Sequence, residues 1–229
     1  MRMRRKKNLD LRISNCNEML AIVEGDDFYD IPLEERGNIR TSKELFGNDN
    51  RLVVEIGCGK GQFSVKYATL NPTTNLLAVE KLSNVIVEAC EKARQSGLKN
   101  LLFANCGAEN LPLFLPAHSV SEILINFPCP YPKKTYANRR VTHPNYLKKF
   151  QHLLTENGIV RLKTDNLPYF QYSLEQMQEF GFNLIQQRQY IDESPSDNIM
   201  TEYESKFVSQ HLPIYMADLQ LVNQNSKEN

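Results

Sequence analysis

The sequence predicts an α/β fold, with a mostly parallel sheet of seven strands and helices on both faces. Three observations lead there. From Arg51 onward, apolar runs of strand length alternate with segments whose apolar residues recur at helical spacing. The first run, "RLVVEIG", ends in a glycine-rich turn that opens a helix, and the second, "TNLLAVE", ends in an acid. Strands that follow one another through helices lie parallel, because each helix carries the chain back across the sheet.

The elements follow in order. "RLVVEIG" is a short apolar run closed by glycine, hence a buried strand, and residues 60–70 have helical spacing. "TNLLAVE" is the second strand, and "NVIVEACEKARQSG" is a helix stopped by Gly97. "NLLFANCGA" is the third strand. "SEILINF" is the fourth, reached through a turn-rich link containing Pro112 and Pro116. "NYLKKFQHLLTENG" reads as a helix ending at Gly158, and "IVRLKTD" as the fifth strand. "LPYFQYSLEQMQEFG" is a helix with Pro168 in its first turn. "FNLIQQRQY" and "FVSQHLPIYMADLQL" supply the last two strands. Residues 1–50 are polar with weak periodicity and read as a tail and lead-in. There is no internal repeat.

Composition bounds the class. A chain of 229 residues, 41% hydrophobic and 24% charged, suits a soluble α/β domain with a sizeable core. No apolar run approaches the ~20 residues of a membrane helix. The basic N-terminus "MRMRRKKNLDLRI" has no apolar stretch after it and is no secretory signal. The cysteines Cys16, Cys58, Cys90, Cys106 and Cys129 are odd in number and form no C-x-x-C pair. Reduced thiols in a cytoplasmic protein, with no metal site, are expected.

Formal net charge is zero, which argues against a generic nucleic-acid coat protein. The charge is uneven, however. Arg2, Arg4, Arg5, Lys6 and Lys7 open the chain, and Lys133, Lys134, Arg139, Arg140, Lys148 and Lys149 follow one another with no acid among them. Such a strip can bind a polyanion locally. Taken alone, a charge run is more often a solvated face.

The segments that carry chemistry lie after the strands. In "VVEIGCGKGQF" the glycines Gly57, Gly59 and Gly61 allow a sharp turn and close approach of a ligand, with Glu55 still on the strand. The dinucleotide pattern G-x-G-x-x-G is absent, and the spacing is E-x-G-x-G-x-G. Glu80, closing the second strand, is placed to accept hydrogen bonds from both hydroxyls of a ribose. After the third strand, "NCGAEN" offers backbone at Gly107 and Ala108 to a base edge, with Glu109 two residues on. After the fourth comes "ILINFPCPYPKK", three prolines at every second position with Cys129 and Tyr131 between them.

The glycine spacing resembles motif I of class I S-adenosylmethionine-dependent methyltransferases. The chain as a whole resembles the tRNA (guanine-N7-)-methyltransferase family, from Asn50 to about Leu219. The stretches "EIGCGKGQF", "NFPCPYPKKTYANRRVTHP", "LKTDN", "NIMTEYESKF" and "PIY" carry the resemblance. It implies a Rossmann-like class I methyltransferase fold, with a basic tail and lead-in over 1–48, a methyltransferase domain over 49–220 and a polar tail over 221–229. It implies S-adenosyl-L-methionine as cofactor, held by Glu55, Gly57, Gly59, Gly61, Glu80, Gly107, Ala108 and Cys129. It implies tRNA as partner, gripped by Lys133, Lys134, Arg139 and Arg140, with Asp165, Thr201 and Glu204 lining a guanine pocket in the variable region's service. No membrane association is implied, and oligomeric state is not readable. The family usually has aspartate where Cys129 and Gly107 stand, and tryptophan where Tyr131 stands. Guanine N7 carries a lone pair and no proton, so transfer to it needs no obligatory base. An active enzyme is therefore expected, with Cys129 at the catalytic aspartate's position. The alternative is a weak or inactive paralogue that binds tRNA. An amino-group methyltransferase would leave the basic strip and "TEYE" unexplained. Whether Glu109 takes over an acidic role toward adenine stays open.

Overall fold

The computed structural model describes residues 4–24 and 38–222. Residues 1–3, with Arg2, and most of the polar C-terminal tail, 223–229, lie outside that description. The chain forms two compact units, Met1–Pro116 and Ala117–Asn229.

The first unit runs α1 (Leu9–Ser14), β1 (Leu20–Val23), α2 (Ser42–Phe46), β2 (Arg51–Ile56), α3 (Gln62–Leu70), β3 (Thr74–Val79), α4 (Ser83–Ser96) and β4 (Leu101–Asn105). Its strands lie in the order β1-β4-β3-β2, and every pairing is parallel. All six residues of β3 are buried, as a strand inside a covered parallel sheet requires. α3 and α4 pack on β3 and β4. The apolar stripe Ile86, Val87, Ala89, Cys90 and Ala93 of α4 is buried, and Gly97 ends the helix at φ 66°.

The second unit runs β5 (Val120–Asn126), α5 (Pro144–Leu153), β6 (Leu154–Thr164), α6 (Leu167–Glu179), β7 (Phe182–Tyr190), α7 (Glu202–Val208) and β8 (Ile214–Leu221). Its strand order is β5-β6-β8-β7. β5 and β6 are parallel, whereas β8 is antiparallel to both β6 and β7. The α/β class and the predominance of parallel pairing therefore hold.

Three expectations change. The described residues contain eight strands rather than seven. The additional one, β1, lies in the stretch read as lead-in and pairs with β4 through Leu20↔Phe103, Ile22↔Ala104 and Val23↔Asn105. Four residues are too few to show a period, and the neighbouring strand decides their conformation. The helix expected to run to Gly158 stops at Leu153. Ser119 N–H donates to Leu153 O (2.9 Å) and Leu154 pairs with Val120, so sheet pairing takes the backbone before the helix can continue. The last strand begins at Ile214, and residues 202–208 are helical.

The N-terminal segment is tied to α4. Lys6 Nζ pairs with Glu88, Lys6 N–H donates to Asn84 Oδ1 (2.9 Å), and Arg12 makes a two-pronged pair with Glu91 at 2.7 Å for each bond. Arg94 donates to Asn15 O (3.0 Å) and pairs with Glu18 (3.1 Å). Of the opening cations, Lys6 is thus committed within the unit, and Arg5 pairs with Asp10.

Candidate active site

In the first unit, the parallel order puts the C-terminal ends of β2, β3 and β4 side by side. In open α/β sheets that edge is where nucleotide-like ligands bind. The turn after β2 is strongly bent: Gly57, Gly59 and Gly61 have φ of 75°, 57° and 70°. Gly57 and Cys58 N–H groups donate to Val79 O at 2.8 and 2.9 Å, which fixes the turn to β3. The glycines have two different tasks. A Cβ on Gly57 or Gly59 would meet nothing within 4 Å, so this backbone faces open space. A Cβ on Gly61 would lie 2.6 Å from Ala89 Cβ, so here glycine permits α3 to start against α4. Burial pushes the Cys58 thiol well up, with Glu55 adding to the effect, and makes it a packing residue.

Glu55 is 2% exposed and accepts a hydrogen bond from Ser64 Oγ at 2.6 Å. It ties β2 to α3 and so holds the glycine turn from behind. Glu80 is half-buried, and its Oε1 accepts from Leu82 N–H at 2.9 Å. Asn105 staples this corner: its Nδ2 donates to Glu80 O (2.9 Å), and its Oδ1 accepts from Ser83 Oγ (2.8 Å). After β4, Gly107 and Ala108 open a short 3₁₀ turn, Ala108–Leu113. Open glycine backbone, a carboxylate at the end of β3 and a turn after β4 fit a nucleoside carrying an amino-acid tail.

In the second unit, the proline segment begins at the end of β5. Phe127 and Tyr131 both have positive φ, 50° and 41°. For bulky residues this is a strained conformation, of order ~1–3 kcal/mol each, and it persists only where surroundings impose it. Those surroundings are visible. Phe127 N–H donates to Lys163 O (2.8 Å), and its ring packs against Tyr203 (centroids 5.0 Å) and Phe207 (6.4 Å). Tyr131 O accepts from Arg140 Nη2 (3.0 Å) and Nε (3.3 Å), and Pro130 O also accepts from Nε (3.1 Å). The Arg140 guanidinium lies over the Tyr172 ring at 4.3 Å. Cys129, between Pro128 and Pro130, is exposed and free.

Lys133, Lys134 and Arg139 are exposed, on and beside the 3₁₀ turn Lys134–Arg139, with the Arg139 guanidinium 4.7 Å from the Tyr136 centroid. Their neighbour Arg140 differs, since its donors face the proline segment. Behind the strip, Thr142 Oγ1 bonds Tyr169 OH (3.1 Å) and Ser173 Oγ (2.8 Å) in a buried hydroxyl cluster. His143 Nδ1 accepts from Asn145 N–H (3.2 Å) as the cap of α5.

Asp165 is half-buried, one residue past β6. Thr201 and Glu204 instead form a capping box on α7. Glu204 N–H donates to Thr201 Oγ1 (2.9 Å), and Thr201 N–H donates to Glu204 Oε2 (3.1 Å). Glu204 is 0% exposed. Its Oε2 also receives Lys163 Nζ (3.0 Å), and its Oε1 receives Tyr190 OH and Asn198 Nδ2. Lys163 Nζ donates further to Asn198 Oδ1 and Ile199 O, both at 3.1 Å. This geometry makes Thr201 and Glu204 the cap of α7 and an anchor of the segment.

Several residues escaped the sequence reading. Tyr203 is exposed, stacks with Phe207 (4.7 Å) and Phe127, and lies close enough to Asp165 that this carboxylate, after burial, helps push its phenol up. The capping signature T-x-x-E, present at Thr41–Glu44 as well as Thr201–Glu204, was the signal for α2 and α7. Nothing local announced Asn105 or the Lys163–Glu204 pair.

Comparison with known proteins places this arrangement. Residues 49–217 match the model of a family described as "Putative methyltransferase". The tRNA (guanine-N(7)-)-methyltransferase of Geobacillus kaustophilus is 40% identical over 188 residues, covering 82% of this chain and 85% of that one. That of Bacillus velezensis is 37% identical over 190 residues, covering 82% and 86%. Among solved structures, the 16S rRNA methyltransferase KamB superposes with a TM-score of 0.63 at 16% identity, over 81% of this chain and 95% of that one. An antibiotic-related methyltransferase superposes at 0.60 and 17%, over 80% and 96%. These two likenesses concern the fold. Sequence identity at this level and coverage goes further: the chain belongs to the tRNA (guanine-N(7)-)-methyltransferase family.

Proposed function

We propose that the protein transfers a methyl group from S-adenosylmethionine to N7 of a guanine in tRNA, in the variable region. The observation that carries this is the combination of family membership with a glycine turn whose open backbone and neighbouring Glu80 suit a nucleoside with an amino-acid tail. The bound cofactor supplies an electrophilic methyl on a positively charged sulfur. The remaining work belongs to side chains and backbone of this chain.

Glu80 accepts the ribose hydroxyls, while Glu55 keeps the glycine turn in place through Ser64. On the substrate side, Asp165 accepts from the guanine N1–H and N2 amino donors, and the exposed ring of Tyr203 supports the base. Lys133, Lys134 and Arg139 neutralise phosphates and set the position of the RNA without reading its sequence. Arg140, Thr201, Glu204 and Lys163 act as positioning residues behind these. N7 presents a lone pair, so the protein removes no proton from the nucleophile. Its task is to align N7 with the methyl carbon and to exclude other geometries. Positive charge spreads onto guanine as the bond forms, and the Asp165 carboxylate stabilises it. Cys129, exposed between two prolines, occupies the place of a family acid. The expected site of action is the cytoplasm, where unmodified tRNA is present, and no described helix is long and apolar enough to cross a membrane.

The test is transfer of labelled methyl from S-adenosylmethionine to unmodified tRNA. RNA-bound label is expected with tRNA and not with a DNA duplex or free guanosine. Absence of label in tRNA, from protein that binds S-adenosylhomocysteine, would overturn the assignment.

A further inference from the structure

We infer that Phe127 is a positioning residue: its ring, held against α7, sets the direction in which the proline segment leaves β5, and methyl transfer depends on that direction. The inference rests on the methyl-transfer reading above, in which Tyr203 of α7 supports the guanine.

Among the described residues, six other than glycine have positive φ. Four of them are Asn8, His118, Asn157 and His211, whose side chains tolerate left-handed backbone. The other two are Phe127 and Tyr131, and each stands directly before a proline, Pro128 and Pro132. A residue before proline is driven toward extended backbone, and a bulky side chain disfavours the left-handed region by itself. The two exceptions bracket Pro128, Cys129 and Pro130. Such strain at a functional segment persists only where neighbours hold it.

φ is the torsion about N–Cα, so it is set when the amide is held on one side and the side chain on the other. Phe127 is held on both. Its N–H donates to Lys163 O of β6 (2.8 Å). Its ring lies against Tyr203 (5.0 Å) and Phe207 (6.4 Å), which share one face of α7. That helix is fixed in turn. Phe207 and Val208 pack with Phe127 on the buried side chains of Tyr190, Ile214 and Met216, and Glu204 of the same helix receives Lys163 Nζ (3.0 Å). β6 and α7 thus grip Phe127 as one assembly. The residues that follow have little means of absorbing a change. Ring closure locks φ at Pro128 and Pro130. Arg140 holds Pro130 O (3.1 Å) and Tyr131 O (3.0 Å). Release of the Phe127 ring lets its φ return to the ordinary region, and Pro128 and Cys129 then shift as a stiff piece.

The experiment compares Phe127→Ala, Phe127→Tyr and Phe207→Ala in single-turnover methyl transfer to unmodified tRNA. KM for tRNA and calorimetric affinity for S-adenosylhomocysteine are measured beside it. Phe127→Ala should slow the transfer step about ten- to a hundredfold, the loss that a misplacement of about one ångström brings. Its KM and its cofactor affinity should stay within about threefold of the parent, because neither the basic strip nor the glycine turn is touched. Phe127→Tyr keeps the ring and should restore the rate to within about threefold of the parent. Phe207→Ala should show part of the same loss, and combining it with Phe127→Ala should add nothing further, since both act through one ring. If Phe127→Ala does not fold, Phe127→Leu takes its place: it keeps volume without the ring and should show the same split, with a loss of about tenfold. A transfer rate within about threefold of the parent in the ringless variant, a loss that falls on KM or cofactor affinity instead, no recovery in Phe127→Tyr, or an additive double variant would overturn this inference alone. A parent protein that binds S-adenosylhomocysteine but transfers no methyl to tRNA would overturn the methyl-transfer reading and this inference with it.

Discussion

The buried pair of Lys163 and Glu204 gives a sharp test of whether Glu204 anchors the 198–204 segment or touches substrate. The side chains are 2% and 0% exposed and 3.0 Å apart. Three acceptors surround Lys163 Nζ: Glu204 Oε2, Asn198 Oδ1 and Ile199 O. Glu204 in turn serves Tyr190 OH, Asn198 Nδ2 and Thr201 N–H. Lys163→Met removes the cation and leaves a buried carboxylate without its countercharge, a change that typically costs ~3–5 kcal/mol. In urea unfolding with a slope of about 2–3 kcal/mol per molar, the midpoint should fall by about 1–2 M. Adding Glu204→Gln removes the stranded charge while keeping an acceptor for Thr201 N–H. The double variant should therefore recover about 1–3 kcal/mol relative to the sum of the singles. A midpoint for Lys163→Met within about 0.3 M of the parent, or simple additivity, would refute the reasoning. Full stability of Glu204→Gln with lost methyl transfer would instead make Glu204 a substrate contact.

Other expectations follow from the same geometry. Arg140→Lys cannot bond two carbonyls and lie over Tyr172 together, so the proline segment loosens. Turnover should fall about ten- to a hundredfold, with KM for tRNA changed less than threefold. Arg139→Ala and Lys133→Ala should show the opposite split, raising KM, and each should reduce the salt dependence of tRNA binding by about one unit of slope. Burial pushes the Cys90 thiol and the Tyr169 phenol each up to about 12. Between pH 9 and 12 the unfolded chain loses these protons while the fold keeps them, so stability must fall with rising pH, by up to about 1.4 kcal/mol per pH unit for each group. Thermal melts across that range should show the decline, and Cys90→Ala should flatten it.

The glycine turn, Glu80, the end of α4 at Gly97 and the start of α6 at Pro168 were legible because each is set by local chemistry. Glycine supplies left-handed backbone, an acid ends a strand, and proline suits a first turn. β1 was hidden because "LAIV" is a strand only beside β4. The early end of α5 reflects backbone taken by pairing with β5, which nothing within "NYLKKFQHLLTENG" shows. In the candidate site, the exposed cations were readable as a strip, but Arg140 was indistinguishable from Arg139 until its carbonyl partners were in view. "TEYE" carried two messages, a family signature and a helix cap. The structure spends Thr201 and Glu204 on the cap and leaves Tyr203 at the surface.

The central claim is methyl transfer to guanine N7, and the most direct measurement is the identity of the modified nucleoside. Unmodified tRNA treated with the protein and S-adenosylmethionine should, after digestion and mass spectrometry, contain 7-methylguanosine at one guanine of the variable region. A methylated nucleoside of any other kind, or 7-methylguanosine spread over many guanines, would contradict the account.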